Sequence, residues 1–257
     1  MDERLRQLER EARGGDPGAQ ARLQAERARL VAGASDRLRV AALLDDVVAR
    51  EVLGAETPAA VPLRVDALLE ALALERTCGR DALARTALAA AEAARGSEAV
   101  AVTDGTSPAS LDPRAGAAVA AARAWLDRAG SPERATLHRA FDALGTISAA
   151  TDPWAVHLAA QEAAGDPTPD GGTPVDWDAA YAAAAAVRAI HRSVRCVVWH
   201  ADGASRTALA GYAREALVDA AEAVGTDAVL AVVRGELLAW SRGAPAAPAG
   251  PPADPAE

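Results

Sequence analysis

Lysine and asparagine are absent from the 257 residues, phenylalanine and methionine occur once each, and tyrosine and cysteine twice each. With only Phe141, Tyr181 and Tyr212 beside the tryptophans, large rings cannot fill the core. Burial falls instead to Ala, Leu and Val on closely approaching helices, near the lower end of about 8–10 Å between axes. The missing Lys and Asn, set against abundant Ala, Arg, Gly and Pro, point to a GC-rich coding bias, so much of the alanine carries no functional information. Cys78 and Cys196 show no CxxC spacing, which excludes a disulfide framework; in a reducing compartment two free thiols are expected. An excess of cations is also lacking. The net charge of −9 argues against nucleic acid and anionic membrane as partners, because phosphate affinity comes mainly from surface cations releasing counterions.

Long apolar runs are missing too. No stretch approaches the roughly 18 uncharged residues of a membrane span, and Met1 to Arg13 is charged throughout, where a signal peptide needs an apolar run. A cytoplasmic location is expected. The chain has no P-loop, dinucleotide fingerprint, HExxH or GxSxG, which removes the families whose chemistry depends on such local spacing. Sites assembled from distant residues stay open.

What is present is apolar content of 51%, enough for a sizeable core in one main fold, and unusually clear helix punctuation. Asp16-Pro17, Asp112-Pro113, Ser131-Pro132 and Asp152-Pro153 each put a capping oxygen before a residue with fixed φ. Gly33, Gly54, Gly96, Gly130, Gly225 and Gly243 stand where helices should stop. Between these marks the period is helical: Val119, Ala122, Trp125 and Leu126 share a face, as do Leu137, Phe141, Leu144 and Ser148. Trp177, Tyr181, Ala184, Val187, Ile190, Val194, Val197 and Ala201 form the stripe of a long helix. Asp202-Gly203 then offers a turn into a second helix from Ser205 to Val224, and a last helix runs from Asp227 to Ser241. The spacing predicts an all-α fold of antiparallel hairpins packed as a bundle or short α-solenoid. Residues 1–33 read as a charged helical hairpin packed on a main helical domain, 34–243, followed by an Ala/Pro-rich tail, 244–257, expected to be disordered. Ser97 to Leu111 and Gly165 to Val175 read as loops.

Four segments, ERLRQLEREARGGDPGAQARLQAERARLVAG (3–33), RLRVAALLDDVVAREVLG (37–54), DPRAGAAVAAARAWLDRAG (112–130) and VVRGELLAWSRG (232–243), together resemble an Ala-rich, all-helical bacterial family of myxobacterial and planctomycete type. The third segment and the helices after it are also similar to immunity proteins, small helical bundles that neutralise partner toxins. This resemblance implies a helical fold and a protein partner. It implies no catalytic residue.

The candidate constellations are each weighed against a bland alternative. Cys196 and His200, four apart on one helix, could begin a metal site, with His157 a conceivable third ligand; a buried thiol and a boundary His are favoured. A nucleophilic Cys196 with His191 or His200 lacks an orienting group and an oxyanion stabiliser. His138 and His157 on neighbouring helices read as half-exposed residues. The Asp166 to Asp178 loop resembles a calcium loop only in part: Thr168 stands at the third position, and Trp177 stands where a bidentate Glu is needed. Arg188, Arg192 and Arg195 form a basic stripe able to grip an acidic partner. Glu215, Asp219 and Glu222 form the complementary stripe that would neutralise it within a hairpin. Of Trp125, Trp154, Trp177, Trp199 and Trp240, the last reads as core. Trp154 and Trp177 are the interface candidates, together with Arg188, Arg192 and Arg195, since Trp and Arg are enriched at interface hot spots.

A non-enzymatic cytosolic protein-interaction role, immunity- or defence-associated, is the leading expectation, with an unknown protein partner and no cofactor. The rivals are a metal- or small-ligand-binding helical enzyme around Cys196, His200 and His157, and a structural homo-oligomer.

Overall fold

Segments that carry an apolar residue every three or four positions become helices here, because each such stripe needs a partner surface to bury it. The computed structural model describes residues 3–15, 18–23, 34–95, 113–145 and 177–243. Among them there is no strand. The helices are α1 Glu3–Ala12, α2 Ala34–Leu43, α3 Val47–Leu53, α4 Val65–Leu74, α5 Gly79–Arg95, α6 Pro113–Arg128, α7 Ser131–Leu144, α8 Trp177–Ala201, α9 Arg206–Val224 and α10 Thr226–Ser241. Residues 18–23 are also helical. The all-α class expected from the spacing is therefore the observed one. No described helix is long and apolar enough to cross a membrane. The two expected loops and the tail from Ala244 lie outside the described residues.

The chain divides into two compact units, Met1–Ala59 with Glu236–Glu257, and Ala60–Gly235. In the first, Leu38, Ala41, Ala42 and Ala49 form a small core with Val52, Leu53 and Leu238 packed against it. The α2–α3 corner turns on Asp45, whose φ of 61° is a left-handed conformation that Asp tolerates better than most residues. Asp46 then caps α3, its Oδ1 accepting from the Ala49 amide at 2.9 Å while its Oδ2 accepts from the Arg242 guanidinium. Trp240 is buried, as its stripe implies, with Arg37 over its ring at 5.3 Å.

In the second unit α5, α8 and α9 pack against one another, the α6–α7 hairpin lies over α5 and α8, and α4 packs on α9 and α5. Ala84, Leu88 and Ala91 of α5 meet Ala118, Val119 and Ala122 of α6, Leu137 and Leu144 of α7, and Val187, Ile190, Val194 and Val197 of α8. This is the small-residue core expected from the scarcity of rings. Where α5 begins, Gly79 touches the carbonyl oxygen of Leu72, and a Cβ there would collide with it.

Three local readings need correction. Ser131 is not a cap: Gly130, in extended conformation, holds that position without a side-chain hydrogen bond, and Ser131-Pro132 already lies in the first turn. Helix α6 does stop at Arg128, just before Gly130, but Gly130 is extended and opens α7, whereas Gly54, Gly225 and Gly243 take positive φ. The buried stripe on α8 also begins later than its spacing implies. Ala184, Val187, Ile190, Val194 and Val197 are buried, but Tyr181 is 59% exposed.

Candidate functional site

Helices α8 and α9 form an antiparallel hairpin whose turn uses Gly203 at a φ of 85°. Ser205 then caps α9, its Oγ accepting from the Ala208 amide at 3.2 Å. The hairpin brings the basic stripe of α8 against the acidic stripe of α9, as the spacing predicts. Arg188 Nε donates to Asp219 Oδ1 at 3.1 Å and Nη2 to Glu222 Oε2 at 2.7 Å. One turn on, Arg192 Nη1 is 2.9 Å from Asp219 Oδ2 and Nε is 3.7 Å from Glu215. The 2.9 Å contact is off the line of a hydrogen bond. Asp219 thus sits between two guanidinium groups with only 4% of its side chain exposed. Burial pushes its carboxyl above the ordinary range, against the opposing pull of Arg188 and Arg192.

The next place in the ladder breaks the pattern. Opposite Arg195, α9 supplies Tyr212 instead of an acid, and the guanidinium carbon stands 4.8 Å from the ring centroid, within reach of a cation–π attraction. Trp199, one further turn along α8, stacks on the same ring at 5.7 Å between centroids and 19° between planes. Trp199 is 42% exposed. Among the described residues Arg195 meets no carboxylate, and neither the Trp199 indole N–H nor the Tyr212 hydroxyl has a hydrogen-bond partner. The outer face of the hairpin therefore passes from fully paired charge to an open row of Arg, Tyr and Trp.

The residues suspected of metal or nucleophile chemistry go separate ways. Cys196 is fully buried, its Sγ facing the Leu209 carbonyl at 3.7 Å, and desolvation pushes its thiol up to about 12. A thiol so protonated is a poor nucleophile and metal ligand. His200 turns to other helices: its Nδ1 accepts from the Trp125 indole at 3.3 Å. Since that indole can only donate, the ring proton lies on Nε2 and is donated to Asp81 Oδ1 at 2.8 Å. Arg80 meanwhile donates to the His200 carbonyl at 2.9 Å. This knot ties α5 and α6 to the end of α8.

Beside it, Asp202 accepts from Arg134 Nη2 at 2.6 Å and contacts His138 Nε2 at 3.2 Å. Arg134, with a smaller contribution from His138, holds the Asp202 carboxyl below its ordinary range. His191 packs against Phe141, with ring centroids 5.3 Å apart. Burial first, then the charges of Arg195 and Arg192, hold it below the usual imidazole value. Among the described residues no three His, Cys, Asp or Glu side chains converge closely enough to hold a metal ion.

Of the five interface candidates, Arg188, Arg192 and Arg195 share this one face. Trp154 lies outside the described residues, as do His157 and the Asp166 to Asp176 part of the acidic loop; Trp177 is described only as the first residue of α8. The residues that the interface reading passed over are Trp199 and Tyr212. Their signal was present: Trp199 continues the 188, 192, 195 spacing, and Tyr212 continues the 222, 219, 215 spacing backwards.

Fold and face together define an all-α protein whose helical hairpin carries a row of an exposed Trp199 and the half-buried Tyr212 and Arg195. No family model matches the chain, and no curated protein or solved structure does either.

Proposed function

We propose that this chain is a non-enzymatic interaction protein that docks another protein on the outer face of the α8–α9 hairpin. The observation that supports this is the exposed Trp199 stacked on the half-buried Tyr212 beside an Arg195 that meets no carboxylate among the described residues. In a chain with 3% aromatic residues, such side chains would ordinarily be spent on filling the core. Trp, Tyr and Arg are also the types that dominate binding hot spots. They contribute large rigid areas at little cost in side-chain entropy. The sequence resemblance favours an immunity- or defence-associated partner.

Affinity capture from the native host with the full chain tests the reading. Wild type should retain a specific protein that a Trp199→Ala, Tyr212→Ala double variant loses while keeping its helical circular dichroism. Equal capture by both, or no captured protein together with turnover of a small molecule by the pure chain, would overturn it.

A further inference from the structure

We infer that Arg195 is the receiving group for a carboxylate, and that the protein segment docked here carries an Asp or Glu side chain two or three residues from an aromatic or proline ring. This rests on the docking face proposed above and names the chemistry of its occupant. The argument is one of charge complementarity. Helix α9 offers Glu222, Asp219 and Glu215 to Arg188 and Arg192, yet only an aromatic ring to Arg195. A guanidinium stacked on a ring keeps its in-plane N–H donors for a planar acceptor, and a carboxylate matches that fork. The neighbouring indole N–H is a donor as well, so the row asks for acceptors.

Spacing follows from the ladder. Arg195 lies 4.8 Å and Trp199 5.7 Å from the Tyr212 ring centre, so the guanidinium and the indole are at most about 10.5 Å apart, and groups seated on them should be separated by a similar span. An extended segment rises about 3.3 Å per residue. A phosphate and a stacked nucleobase would satisfy the same groups, but Glu215 lies about one turn from Tyr212 on α9, and its charge repels a polyanion more than a single carboxylate.

His191 supplies an independent readout. It lies one turn before Arg195, faces Phe141, and is held low partly by the charges of Arg195 and Arg192. A carboxylate seated on Arg195 offsets one of those charges, so the His191 midpoint should rise on binding.

The experiment uses the isotopically labelled full chain and three probes. These are a blocked pentapeptide Ala-Glu-Ala-Trp-Ala, its counterpart with Gln for Glu, and a thymidine pentanucleotide. The acidic peptide should shift the Trp199 indole resonance, bind about threefold tighter than the Gln peptide, as expected of a part-exposed ion pair, and raise the His191 midpoint. Arg195→Gln should erase that preference, the two peptides then binding the variant equally. Equal binding of the two peptides, an unchanged preference in the variant, no perturbation by either peptide, or tighter binding of the oligonucleotide would each overturn the inference. Failure of the docking face itself looks different. Partner capture lost in Trp199→Ala but intact in Arg195→Gln removes only the acid subsite, whereas capture intact in both removes the face.

Discussion

Two pairs of neighbours on α8 show how far burial and charge separate residues that look alike in sequence. Cys196 and His200 lie one turn apart. The first is sealed against α9 and protonated, while the second is fixed in one tautomer by Trp125 and Asp81. His191 and Arg195 are likewise one turn apart and are coupled by charge. Because His191 is held below the ordinary imidazole value of about 6.5 in the fold, the unfolded chain binds its proton more readily, so stability rises with pH through this interval. Its contribution is lost as pH falls from about 6.5 towards the lowered folded midpoint. Titration of the His191 ring by NMR should give a midpoint below 6.5, and Arg195→Gln should move it upward; an unchanged midpoint would show that the Arg195 charge does not act on it. That the His and Arg share a helix face was legible from spacing. That Phe141 of α7 desolvates the ring was not, because it depends on a contact between helices.

At the scale of elements, the α8–α9 hairpin was the best-read part of the chain. Its turn, the Ser205 cap and the opposed charge stripes all follow from short-range pattern. The hidden detail is the burial of Asp219 beneath two arginines, which depends on how closely the small residues let the helices approach. Asp219→Ala leaves Arg188 and Arg192 with only their more exposed acids, and should cost about 1–3 kcal/mol in urea unfolding. Glu215→Ala, which removes a more exposed partner at 3.7 Å, should cost under about 1 kcal/mol. Glycines make a second comparison. Gly79→Ala drives a Cβ into the Leu72 carbonyl and should lower the melting temperature, at about 1–3 kcal/mol. Gly211→Ala, on an open helix surface with nothing within 4 Å, should raise stability by up to about 1 kcal/mol. In sequence both are helical glycines; only the packing of α5 on α4 distinguishes them.

For the molecule as a whole, the core is many small contacts and few large ones, so the largest losses should come from its leucines. Leu88 is completely buried among α5, α6, α7 and α8, and Leu88→Ala should cost about 2–5 kcal/mol. Leu74, 74% exposed, should change by less than about 0.5 kcal/mol when made Ala; chemical denaturation of the two variants checks both. The amino-acid sequence by itself determined the all-helical class, the hairpin register and the charge balance, because helical period, capping and formal charge are local properties of a chain. Only the tertiary structure decided which polar groups lost their water, which found partners in other helices, and which, like Arg195 and Trp199, were left facing outward. Desolvation and side-chain pairing depend on distances between residues far apart in sequence, and those distances exist only once the helices have packed.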